Sequence, residues 1–188
     1  MKTLPSQTIG PFFHFSLTAN AALGCLTRPD AKGEHIRIRF RLLDGDGAPV
    51  PDGMLEIWQA DAGGKYDHPA DTQEQSPDPA FCGFGRLATN AAGCCVFETV
   101  VPGRVPDGRG GCQASHLNLS VFARGLLGRL STRVYFEGDP ALAGDAVLAL
   151  VPEDRRHTLL ARRDPAETAL WSFDIHLQGE NETVFFDI

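Results

Sequence analysis

The sequence predicts an all-β fold, a sandwich of short strands, and three observations carry that prediction. First, His35-Ile36-Arg37-Ile38-Arg39-Phe40-Arg41-Leu42 alternates apolar with polar or basic residues. That is the period of a strand with one buried face. Second, 13 prolines and 20 glycines interrupt the chain at short intervals, as turns between short strands require. Third, helical signal is confined to about residues 140–163, where Ala, Leu and charged residues cluster. Seven or more short strands with so little helix make a sandwich or barrel.

Asp44-Gly45-Asp46-Gly47 supplies turn chemistry after the first strand, and Met54–Trp58 reads as the second. Arg86-Leu87-Ala88 and Cys95–Thr99, joined by Asn90-Ala91-Ala92-Gly93, read as a hairpin. Leu117–Ala123 and Leu130–Phe136 form a second candidate pair. Ser172–Leu177 and Thr183–Phe186, joined across Gly179, form a third. Two stretches lack periodicity. Residues 1–33 read as an extended amino-terminal arm ahead of a sandwich domain over 34–188. Residues 59–83 are polar and rich in Asp, Gly and Pro, and loops this long bind something or pack on a partner. A disordered tail is the alternative for the arm, but five apolar or aromatic residues within Ile9–Leu17 argue for burial.

Composition narrows the function classes. The chain is 43% hydrophobic and 22% charged, enough for a core and ordinary for a soluble protein. No apolar run reaches the 18–20 residues or so of a membrane span. The amino terminus lacks the apolar region of a secretory signal, so a cytoplasmic address is expected. A formal net charge of −7 without a basic stripe excludes nucleic acid as a partner. An anionic substrate would bind only beside a local cation. Cys25, Cys82, Cys94, Cys95 and Cys112 include no CxxC pair and read as reduced packing residues. Adjacent Cys94 and Cys95 should face opposite sides of a strand.

Generic catalytic motifs are missing: there is no HExxH, GxSxG, P-loop or GxGxxG. His116 draws notice because Asn118 stands two residues on, in what reads as a strand. Two histidines at that spacing would share a face and could hold one metal, but an amide is a poor ligand for iron. A lone strand histidine is ordinarily a hydrogen-bonded structural residue.

Four segments in this order carry a resemblance: Pro5–Phe12, with Thr8-Ile9-Gly10-Pro11-Phe12; Leu55–Tyr66, with Leu55-Glu56-Ile57-Trp58-Gln59-Ala60; Ala80–Arg86; and Thr132–Pro140. The ending Gly179–Asp187 fits as well. The chain resembles, nearly end to end, the intradiol ring-cleaving dioxygenases. The resemblance implies a β-sandwich and, on the family's iron-bearing chains, a non-haem Fe(III) held by two tyrosines and two histidines. The positions matching those ligands hold Gln73, Val105, His116 and Asn118, so only His116 survives. An arginine expected three residues before the first histidine is Gln113 here. Tyr66 and Tyr135, the two tyrosines of the chain, fall in motifs that are not ligands.

The resemblance therefore implies a metal-free α chain, inactive alone, whose Fe(III) is carried by an iron-bearing β subunit in a higher-order αβ assembly. Thr8, Gly10, Pro11 and Phe12 match the arm that walls the partner's site in such chains, with Phe12 where a tyrosine is usual. Gly10 lets backbone approach a flat ring closely. Arg124, in Phe122-Ala123-Arg124-Gly125, matches a residue that meets an anionic substrate. By its place in the strand pattern alone it is a solvated turn residue. The expected substrates are protocatechuate and O2, and the expected product is 3-carboxy-cis,cis-muconate. Two rivals stand beside this reading: a self-sufficient dioxygenase with altered ligands, and a non-enzymatic binding module on the same sandwich.

Overall fold

The computed structural model describes residues 7, 8, 10 and 15–187. Eight strands form one continuous, nearly closed sheet: β1 (His35–Leu43), β2 (Met54–Trp58), β3 (Phe84–Ala88), β4 (Cys94–Val100), β5 (His116–Phe122), β6 (Leu130–Phe136), β7 (Leu160–Arg163) and β8 (Leu170–His176). Their order is β3-β2-β5-β6-β7-β8-β1-β4. Strands β3, β2, β5 and β6 make one wall of the sandwich, and β8, β1 and β4 the other. Short β7 bridges them, parallel to β6 at Tyr135↔Leu160 and antiparallel to β8 at Arg163↔Trp171. The expected all-β sandwich is what forms.

Alternation in β1 dictates its packing. Ile36, Ile38, Phe40 and Leu42 are buried, while His35, Arg37, Arg39 and Arg41 are exposed. Phe40 meets Phe97 of β4 and Phe173 of β8 edge-on, with ring centroids 5.7 and 6.0 Å apart. Trp171 of β8 meets Phe136 of β6 in the same way at 5.0 Å, linking the two walls. Phe40→Ala should destabilise the fold by about 3–5 kcal/mol, because the ring is fully buried among three strands. Urea titration should show a lower midpoint with an unchanged slope. An unshifted midpoint would mean that this cluster does not hold the walls together.

Three readings of local structure need correction. Strands β3 and β4 are not a hairpin: β3 pairs with β2, and β4 with β1. The Asn90–Gly93 turn forms, with Asn90 Oδ1 accepting from the Ala92 and Cys94 N–H groups. It carries the chain from one wall to the other. The closing hairpin is absent as well. Thr183 N–H still donates to His176 O, but Phe186 then pairs with Ser131 of β6. The helical signal expected over 140–163 is where three 3-10 segments form (Pro140–Gly144, Leu148–Leu150 and Glu153–Leu159), followed by β7. Finally, Leu26, within the stretch read as the arm, is 2% exposed and joins the main core. Bridges Cys25↔Glu98 and Thr27↔Phe81 anchor its neighbours.

Cys95 is buried, with its thiol pushed up to about 12 by that burial, while Cys94 is half-exposed. The two adjacent thiols thus differ in burial, and the described cysteines are free. None of the helices among the described residues is long and apolar enough to cross a membrane.

Candidate functional site

The outer face of the β2–β5–β6 wall carries the chemistry. Residues one apart from the core positions point outward: Trp58 on β2, His116 and Asn118 on β5, Arg133 and Tyr135 on β6. The 59–83 loop folds over them and is ordered by its own polar groups. Asp61 accepts from the N–H groups of Gly63, Lys65 and Asp78 at 2.8, 3.0 and 2.9 Å. Lys65 and Asp71 form a buried ion pair at 3.0 Å. Burial works to raise the Asp71 carboxyl, but the N–H groups of Gln73 and Tyr66, with Lys65 and the Gln73 amide, outweigh it and hold it far below its usual range. Gly64 fits this loop against Gly103–Arg104 because its φ is +80° and a side chain there would strike the Arg104 carbonyl. Gln59, fully buried, donates to Ala60 O and Val100 O and accepts from Thr99, so its place in the motif is structural.

Three of the four degenerate ligand positions, Gln73, Val105 and His116, come together around a cavity of about 500 Å³. The fourth, Asn118, lines a neighbouring trough and donates to Tyr66 Oη at 3.3 Å. These side chains do not fit a ferric ion. Val105 offers no donor atom. The Gln73 and Asn118 amide nitrogens are engaged, with Gly64 O and Asp71 for the first, Trp58 O and Tyr66 for the second. Burial raises the Tyr66 phenol and pushes that of Tyr135 up to about 12; Tyr66 Oη accepts from Asn118, and Tyr135 donates its hydroxyl to Asp145 Oδ1 at 3.0 Å. Among the described residues no group of three His, Cys, Asp or Glu could hold a metal ion. A cation stands there instead: Arg133 lines the cavity, and its Nη1 donates to Gln113 Oε1 at 2.7 Å.

His116 is 3% exposed and donates from Nδ1 to Ala114 O at 2.8 Å. Burial first, and the nearby Arg133 charge second, push its pKa down to about 4. The folded state thus prefers the neutral ring, while the unfolded chain takes up a proton near pH 6.5. Stability is complete above pH 6.5 and declines as pH falls toward 4. At pH 5 the loss relative to pH 7 should be about 2 kcal/mol. Chemical denaturation across that range checks this, and His116→Gln should flatten the dependence. An unchanged slope in that variant would assign it to other groups.

The residues expected to meet substrate lie elsewhere. Arg124 follows the far end of β5 from His116, so the strand's length, roughly 20 Å at about 3.3 Å per residue, separates it from the cavity. Its side chain is 73% exposed, and its Nε pairs with Asp52. Asp52 was not legible as a partner from residue order, because that contact joins loops far apart in the chain. The next residue, Gly125, has φ +88° and donates its N–H to Thr8 Oγ1 at 2.8 Å. Thr8 of the arm is thereby brought beside Arg124, and Gly10 is exposed nearby in sequence. Pro11 and Phe12 lie outside the described residues.

The Dioxygenase family model matches residues 9–179. The chain is 39% identical to a protocatechuate 3,4-dioxygenase alpha chain of Burkholderia cepacia, covering 100% of this chain and 98% of that one. It is 42% identical to an alpha chain of the same name from Pseudomonas putida, over 97% and 95%. A protocatechuate 3,4-dioxygenase beta chain of Burkholderia cepacia is 35% identical over 95% of this chain and 77% of its own length. Among solved structures, the dioxygenase domain of a carbohydrate-binding fusion from Streptomyces sp. SirexAA-E superposes with a TM-score of 0.63 at 25% identity, covering 83% of this chain and 87% of that one.

Proposed function

We propose, from the premise that the chain belongs to the intradiol ring-cleaving dioxygenase family, that it is the metal-free subunit of a two-chain enzyme acting on protocatechuate. Its relatives named as alpha chains, and another named as a beta chain, support an αβ assembly in which an iron-bearing β subunit carries Fe(III). This chain would add a wall and a positive charge to the partner's cleft, where protocatechuate and O2 give 3-carboxy-cis,cis-muconate. A cytoplasmic address suits such an enzyme.

One observation carries the reading: Gly125 N–H donates to Thr8 Oγ1, joining the arm to the Arg124 turn at the far end of β5 from this chain's own cavity. Arg124, exposed and beyond reach of that cavity, faces outward as a residue serving another chain's site would. Leu127, in the same turn, is 64% exposed, and Phe15 of the arm 71%. An exposed apolar side chain in the Arg124 turn, and another on the arm, suit coverage by a subunit. Thr8, Gly10, Pro11, Phe12 and Arg124 are the proposed substrate-facing set.

Co-expression with an iron-bearing β chain tests the assembly. The two chains should co-elute at equal stoichiometry and bury well over about 2,000 Å², as obligate pairs do. The chain alone should self-associate. A stable, monodisperse monomer that ignores the β chain would sink the proposal.

A further inference from the structure

The geometry points to a second small-molecule site on this chain: the cavity at the degenerate ligand positions takes a small, planar, single-ring carboxylate anion, held by Arg133. This goes beyond the function proposed above and does not depend on it.

Arg133 is half-buried on the outer face of β6, with Nη1 donating to Gln113 Oε1 at 2.7 Å and to Tyr135 Oη at 3.5 Å. Both partners are neutral. Among the described residues no carboxylate forms an ion pair with Arg133, whereas seven other cations have one. The acids nearby are already committed. Asp71 is paired with Lys65, and Asp145 accepts from Tyr135 and from the N–H groups of Ala114, Val147 and Leu148. His68 and His116 are the other basic side chains of the lining. No carboxylate is therefore bonded directly to the Arg133 guanidinium, and its Nη2 and Nε make no hydrogen bond to the described residues. A partly desolvated guanidinium with spare donors is an anion site, and its planar fork suits a carboxylate.

Shape gives the rest of the ligand. About 500 Å³ lies within the range of small-molecule sites and admits one ring. Trp58 and Tyr66, stacked at 5.8 Å with planes 14° apart, form a flat aromatic wall. Asn118 fixes that wall by its bond to the Tyr66 hydroxyl, and His68 meets Trp58 edge-on. The amides of Gln73 and Gln113, the Thr72 hydroxyl and the Lys65-paired Asp71 carboxylate are further polar groups of the lining. The arrangement offers one cationic end and one flat apolar side, which is the complement of an aromatic acid.

The test is calorimetric titration of the purified assembly, and of the chain alone, with benzoate as the probe and benzamide as its neutral counterpart. Oxygen uptake plays no part in the readout, so failure of the subunit role and failure of this site are distinguishable. Benzoate should fill one site per copy of this chain, and benzamide should bind it about tenfold or more weakly. Gln113→Glu is the telling variant. It keeps the side-chain shape and the bond to Arg133 but places a carboxylate directly on the guanidinium, where a ligand's carboxylate would sit. It should remove one benzoate equivalent per copy of this chain while its thermal unfolding stays cooperative. Arg133→Gln should remove the same equivalent. Equal binding of benzamide, retention of the equivalent in Gln113→Glu, or no benzoate bound by this chain would each overturn the site.

Discussion

Arg124→Ala is expected to raise the KM of the assembled enzyme for protocatechuate by about 5- to 150-fold. That range corresponds to about 1–3 kcal/mol for a hydrogen bond between charged groups. At a net charge of −7 the chain repels an anionic acid, so a carboxylated substrate needs a local cation. Arg124 is such a cation, exposed at 73%, with its Nε edge held by Asp52. Exposure places the effect toward the lower part of that range, and added salt should weaken it. The loss should nearly vanish for catechol, which lacks the carboxylate. Iron content and assembly should be unchanged, because the side chain packs against no core element. An equal loss on catechol and protocatechuate would show that the residue acts through structure.

Removing residues 1–12 should lower kcat/KM of the assembly on the order of 100-fold, the scale on which misplacement of a cleft wall acts. The bond from Gly125 to Thr8 ties this arm to the Arg124 turn, so loss of the arm disturbs both substrate-facing elements at once. Thr8→Ala keeps the arm and removes only that bond, so it should cause a smaller loss in the same direction. Full activity in the truncated assembly would remove the arm from the cleft.

The fold class was legible because alternation in β1 and spacing of turns are local properties. Pairing partners were not. Strands β3 and β4 are adjacent in sequence and joined by a good turn, yet they lie in opposite walls. Their buried faces are satisfied by β2 and β1, and nothing in a single strand says which neighbour it will find. Strand β7 was hidden because Leu160-Ala161-Arg162-Arg163 is short and follows 3-10 turns, so helix-like composition masked it. That Gln73, Val105 and Asn118 offer no anionic donor follows from residue types alone. The cation that stands in that cavity was not legible, because Arg133 meets Gln113 only when β6 is laid beside β5. Asp52 and the Thr8–Gly125 contact were hidden for the same reason, each joining segments far apart in the chain.

Iron and oxygen uptake, measured together on the chain alone and on the chain assembled with an iron-bearing β subunit, test the central claim most directly. The account predicts a colourless chain without bound iron and without oxygen uptake on protocatechuate when alone, since Gln73, Val105 and Asn118 supply no anionic donor. Assembled, it predicts one iron per αβ pair, protocatechuate-dependent oxygen uptake, and the same iron content when Arg124 is replaced by alanine. Stoichiometric iron with a tyrosinate-to-iron absorption band in the chain purified alone, together with oxygen uptake, would contradict it.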